Sequence, residues 1–101
     1  MEISCQNDGN TAYVALNGSV DNDEAKELGQ LLHTLLSQGH DEIVFKLSGV
    51  LFMSSLAIGL FLIFYKELIA NGRRLRIRGI SDPVYRVFHS IKLDKLIPVE
   101  K

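Results

Sequence analysis

The side chains able to do chemistry in this chain are few and poorly grouped. Ser54 and Ser55 stand together where a strand-like apolar run meets a helix-like one. Adjacent hydroxyls at a helix start do one of two things. They cap the helix by accepting a bond from a free backbone N–H, or they offer an oxygen for phosphate beside the positive end of the helix dipole. His33, His40 and His89 fall on separate elements with no serine or cysteine at the spacing of a nucleophilic pair, so neither a triad nor a metal site is expected, and all three are read as surface or capping residues. Cys5 is alone; it forms no internal disulfide, no zinc-ligand spacing accompanies it, and it reads as a structural thiol of a reducing compartment. Arg73, Arg74, Arg76, Arg78 and Arg86 make a basic patch, but no aromatic residues interleave as stacking platforms, which points to a solvated strand face and away from direct nucleic-acid binding. Glycines 49, 59, 72 and 79 do not form a phosphate-cradling loop. An enzyme needs convergent titratable groups and this pattern offers only hydroxyls, so no catalytic residue, metal or cofactor is expected.

The elements that must hold these residues belong to an ordinary globular chain. It has 101 residues, 47% hydrophobic and 23% charged, and a net charge of -1. That size suits one domain spanning 1–101, and the near-neutral balance provides no overall field toward nucleic acid or anionic lipid. The start of the chain, with Glu2 and polar residues, lacks a basic-then-apolar leader, so the expected location is cytoplasmic. From Leu47 to Tyr65 no side chain is charged, a run of about 19 residues that reaches the length of a membrane helix. Ser48-Gly49 and Ser54-Ser55 within it, and the strand-like pattern upstream, favour a buried strand end, a short loop and a largely apolar helix instead, with no membrane span.

Along the chain, Glu2 to Gln6 and Thr11 to Leu16 read as strands of a hairpin around Asn7-Asp8-Gly9-Asn10, and Gly18 as a break. Asp21, with Glu24 three residues on, reads as an N-cap and its capping-box partner. Leu28, Leu31, Leu32, Leu35 and Leu36 form the stripe of the first helix, and Gly39 ends it. Ile43, Val44, Phe45 and Leu47 suit a central strand buried on both faces. A second helix, capped by Ser54 or Ser55, is apolar almost all round from Leu56 to Tyr65, unlike an ordinary surface helix. Leu75 and Ile77 alternate with arginines as a half-buried strand, and Ser81 and Pro83 open a third helix with Val84, Val87, Phe88 and Ile91 on one stripe. Leu96 to Val99 reads as an edge strand or a packed tail. This order predicts an α/β fold, a mixed β-sheet of about four to five strands with helices packed against it.

The segment Val50 to Leu60 resembles the signature of STAS domains, in which strand residues lead to Asp-Ser-Ser or Asp-Ser-Thr, then Gly-Leu-Gly and a helix. The resemblance spans nearly the whole chain. It takes in Leu16-Asn17-Gly18 before Val20-Asp21-Asn22, the strand Ile43 to Val50, Tyr65-Lys66-Glu67-Leu68, Ile80 to Val84, and Leu93 to Ile97. It implies a STAS-like sheet and a bacterial anti-sigma factor antagonist, or anti-anti-sigma factor. Such a protein binds an anti-sigma factor, often a serine kinase, and phosphorylation of the second hydroxyl of the signature switches binding off. An added phosphate brings about -1.5 to -2 charges to a surface built for a neutral hydroxyl.

The chain departs from that pattern at the switch itself. Aligned without gaps, Ser54 stands where the family has Asp, Ser55 matches the first hydroxyl, and Leu56 occupies the phospho-acceptor position. The expectation is constitutive partner binding, with Ser55 and Ser54 the residual candidates for phosphorylation. Asp21, Asn22, Ser54, Ser55, Leu56 and Leu60 form the expected partner-facing set; the competing reading folds Leu56 back into the core. The alternative function is an accessory STAS subunit of an ABC-type lipid transport system, and homodimerisation through the apolar second helix stays open.

Overall fold

A computed structural model describes residues 1–101. Gly9, at φ +61, takes the left-handed position of a two-residue turn, folding Glu2–Asp8 (β1) antiparallel onto Thr11–Val20 (β2). Both strands outrun the expected ones. Gly18 does not break the chain: at φ +98 it sits inside β2, which continues to Val20, and the register shift between Gly18 and Ser19 is taken up by an extra residue, Leu51, in the neighbouring strand.

Asp21 then caps Asn22–Gln38 (α1), its carboxylate accepting from the N–H groups of Asp23 at 3.0 Å and Glu24 at 3.2 Å. The capping box is one-sided, because a buried Glu24 carboxylate oxygen has no partner. Ala25, Leu28, Leu32 and Leu35 are buried and Gly39 closes the helix in the left-handed conformation. Arg73 reaches across to the same helix end, donating to the carbonyls of Leu36 (3.0 Å), Leu35 (3.1 Å) and His40. This arginine is therefore a C-terminal clasp and not part of a solvated patch, and His40 beside it, expected as a surface or capping residue, is buried and so not on the surface.

Glu42–Met53 (β3) is the middle strand of a sheet ordered β1-β2-β3-β4-β5, in which Arg74–Ile80 is β4 and Val99–Glu100 is β5. Only β1 is antiparallel to its neighbour. Ser55–Ala70 (α2) links β3 to β4, and Asp82–Ser90 (α3) with a short 3₁₀ turn leads to β5. The uncharged run is thus shared between a strand and a helix with only Ser54 between them, and no helix is long and apolar enough to cross a membrane. The short loop expected there does not exist.

One face of the sheet carries the core. Ile43, Phe45 and Leu47 are fully buried among α1, α2 and α3, and the Phe45 ring meets Phe61 and Phe64 edge-on at 5.0 and 6.2 Å. The opposite face is open. There Lys46 and Ser48 of β3 are exposed, so the central strand is not buried on both faces, although Val44 is covered. Arg74 and Arg76 sit 3.8 and 3.6 Å from Glu42 and Arg78 sits 3.4 Å from Glu100, the water-facing alternation expected of β4. Helix α2 buries Ala57, Ile58, Phe61, Phe64 and Leu68, yet Leu56, Ile63 and Ile69 lie about half exposed, so it is a surface helix with an apolar outer side. Of the stripe expected for α3 only Val84 and Phe88 are buried; Val87, and Ile91 at the C-terminal cap, face water.

Candidate protein-docking surface

Parallel strands end at one edge of a sheet, and the helices that follow begin there together. Val20 of β2 and Met53 of β3 are paired, and the Ser54 N–H donates to the Val20 carbonyl at 2.8 Å, which sets the starts of α1 and α2 side by side. At the third helix start the Ser81 hydroxyl forms no cap and donates instead to the Val50 carbonyl.

Ser54 and Ser55 have separate fates. Ser54 is 8% exposed, and its oxygen accepts the Ala57 N–H at 3.2 Å, so its hydroxyl is committed to capping α2. Ser55, one residue on, is exposed. Leu56 is 51% exposed in the first turn and does not fold back into the core. Leu60, half-buried over Gly29 of α1, and the exposed Ile63 extend the same stripe along α2.

Two residues that sequence reasoning missed complete this surface. Pairing of β3 with β4 stops at Leu47–Ile80, so the end of β3 overhangs its neighbour, leaving Leu51 68% and Phe52 53% exposed. Phe52 lines a shallow concavity of about 280 Å³ with Asp21, Asn22, Asp23 and Ser54. The expected Asp21, Asn22 and Ser54 are therefore contiguous, with Ser55 and Leu56 following at the head of α2. The result is an apolar ridge beside an acidic rim, suited to covering by another macromolecule and lacking the convergent groups of a reaction centre. Leu51 and Phe52 are hidden in the sequence because an unbroken apolar run reads as core; the neighbours at the end of β3 decide which of its members are uncovered, burying Val50 and Met53 and leaving these two out.

Other polar clusters are structural in character. The His89 Nδ1 lies 2.8 Å from an Asp94 carboxylate oxygen, tying α3 to the 3₁₀ turn, and this bond holds the Asp94 carboxyl below the usual carboxylate range. Cys5 is exposed on β1, where partial desolvation pushes its thiol up, the reverse of an activated nucleophile. The largest concavity, about 530 Å³, is a trough on the open sheet face lined by Tyr13, Val44, Lys46 and Arg78 among others.

The family described as Mlab, STAS domain matches residues 3–98. This chain belongs to the STAS domain family. An anti-sigma-B factor antagonist of Staphylococcus aureus is 32% identical over 88 residues, covering 87% of this chain and 82% of that protein. The solved anti-sigma factor antagonist of Mycobacterium paratuberculosis superposes with a TM-score of 0.88 at 20% identity, over 98% of this chain and 84% of its own. The antagonist SpoIIAA in its unphosphorylated form gives 0.83 at 22% identity, over 99% and 89%. At those identities the two structures speak to the fold, and this STAS domain shares it: a five-stranded mixed sheet with three helices. These three relatives are anti-sigma factor antagonists by name, and the family read from the Val50–Leu60 segment is the one found.

Proposed function

We propose that this STAS domain is a non-catalytic cytoplasmic regulator, acting as one unit over residues 1–101. It binds an anti-sigma factor or a related serine kinase through the start of α2, and binding is not switched by phosphate. Asp21, Asn22, Ser55 and Leu56 face the partner together with Phe52, and Leu60 supports the ridge. The observation that carries this reading is the half-exposed Leu56 in the first turn of α2, contiguous with Phe52, where the family pattern places the phosphorylated hydroxyl. A leucine there offers apolar area to a partner and no oxygen to a kinase. Of the two serines, Ser54 spends its hydroxyl on the cap, which leaves Ser55 as the accessible acceptor.

Co-purification from the native cell tests the partner, and incubation with the recovered kinase followed by intact-mass measurement tests the switch. Recovery of an anti-sigma factor with an unmodified chain is expected. Stoichiometric phosphate on Ser55 that releases the partner overturns the constitutive reading. Recovery of a permease and its ATPase instead supports the second reading, an accessory subunit of an ABC-type lipid transport system, which the permanently apolar head of α2 also suits.

A further inference from the structure

The two edges of the sheet are protected very differently. The β5 edge is two residues long, follows Pro98 and has Lys101 next to it, the usual devices against further pairing. The β1 edge is seven residues long, contains no proline or lysine, and pairs with β2 without a bulge over its whole length. Its outer hydrogen-bonding groups belong to alternate residues. The Glu42 N–H donates to the Asn10 carbonyl, so even-numbered residues of β2 aim their backbone groups at β3 and odd-numbered ones at β1. In the register that pairs Asp8 with Thr11 and Cys5 with Val14, β1 therefore bonds inward through Glu2, Ser4, Gln6 and Asp8, and outward through Ile3, Cys5 and Asn7.

We propose that β1 is a self-association edge, pairing antiparallel with β1 of a second copy about a two-fold axis at Cys5. The edge is its own complement. The outward residues Ile3, Cys5 and Asn7 are symmetric about Cys5, and β1 extends three residues to either side of it. Two-fold pairing sets Cys5 opposite Cys5 and Ile3 opposite Asn7 twice. Those three hydrogen-bonded pairs, at two bonds each, make six N–H···O bonds and satisfy every outward group of the strand. Registers centred on Ser4 or Gln6 leave one outward residue of each β1 without a strand partner. The pairing joins two sheets into one of ten strands, five from each copy. The small side chains involved bury less area than a stable dimer needs, so association is weak and concentration-dependent. Glu2 of one copy faces Asp8 of the other at both ends of the ladder, so salt favours the dimer.

This pairing is independent of the α2 docking surface and is tested on the full chain without any partner. Sedimentation of the reduced protein from micromolar to millimolar concentration is expected to show a monomer–dimer equilibrium that tightens with salt. Diamide, which takes up two protons and two electrons per disulfide, reports the register. Opposed Cα atoms in a hydrogen-bonded pair lie about 5.5 Å apart, within disulfide reach, so a Cys5–Cys5 covalent dimer is expected to form faster at high protein concentration and high salt. Asp8→Lys turns both end pairs attractive and is expected to tighten the dimer about tenfold. Cys5→Pro removes an N–H that faces solvent in the monomer and is expected to abolish association while the circular dichroism of the fold is kept. A chain that stays monomeric in both the wild type and Asp8→Lys overturns the proposal. So does association that survives a folded Cys5→Pro variant, or cross-linking that ignores Asp8→Lys.

Discussion

Truncating the apolar ridge separates docking from folding, because the same exposure numbers set both effects. Burying a whole leucine side chain is worth about 1.5–3 kcal/mol. Leu56 is 51% exposed, so about half of that, roughly 1 kcal/mol, is still available to a partner and about as much already serves the fold. Leu56→Ser alone should weaken partner binding roughly five- to tenfold. Phe52, at 53% exposure, adds a larger aromatic surface, so Phe52→Ser with Leu56→Ser should cost about 2–4 kcal/mol of binding, a thirtyfold to several hundredfold loss. Titration calorimetry against the co-purified partner measures the loss, and urea denaturation of the free domain measures the folding cost, expected to stay below about 2 kcal/mol. Ile91→Ser, comparably exposed but at the C-terminal cap of α3, is the control and should leave affinity unchanged. Full affinity in the double variant, or an equal loss in the Ile91 control, would refute the assignment of this ridge as the docking surface.

Further tests concern the supports of the site. Ser54→Ala removes the cap of α2 and should destabilise the fold by about 1 kcal/mol, a fall of roughly 4–8 °C in Tm by calorimetry. Gly79→Ala forces a side chain onto φ +89 and drives its Cβ into the Ser48 hydroxyl, so a loss of about 1–3 kcal/mol is expected; adding Ser48→Gly should relieve the contact but leave the backbone strain. Asp94 has a lowered folded-state pKa, so its bond to His89 contributes stability that is full above the ordinary carboxylate value of about 3.9 and is lost as pH falls through the lowered one. Denaturation midpoints of the wild type and Asp94→Asn should accordingly differ at neutral pH and converge in strong acid.

Local rules written in the residues decide most of the fold. The hairpin at Gly9, the Asp21 cap, the Gly39 stop and the two-residue alternation of β4 all depend on backbone sterics or on neighbours a few positions apart, so each is legible in the amino-acid order alone. The family signature around Ser54-Ser55-Leu56 is legible for the same reason, being a contiguous word. What the sequence leaves undetermined depends on partners distant along the chain. Which of Val50 to Met53 are core and which are surface is set by the neighbours that reach the end of β3 beyond its pairing with β4, and Arg73 becomes a helix clasp only because β4 begins next to the end of α1. The free sheet face follows from all three helices packing on the other side, an arrangement that burial of a continuous core selects but no local pattern records. Periodicity tells which residues are apolar; only the packed neighbours determine which of those remain uncovered, and the docking ridge is made of the ones they leave.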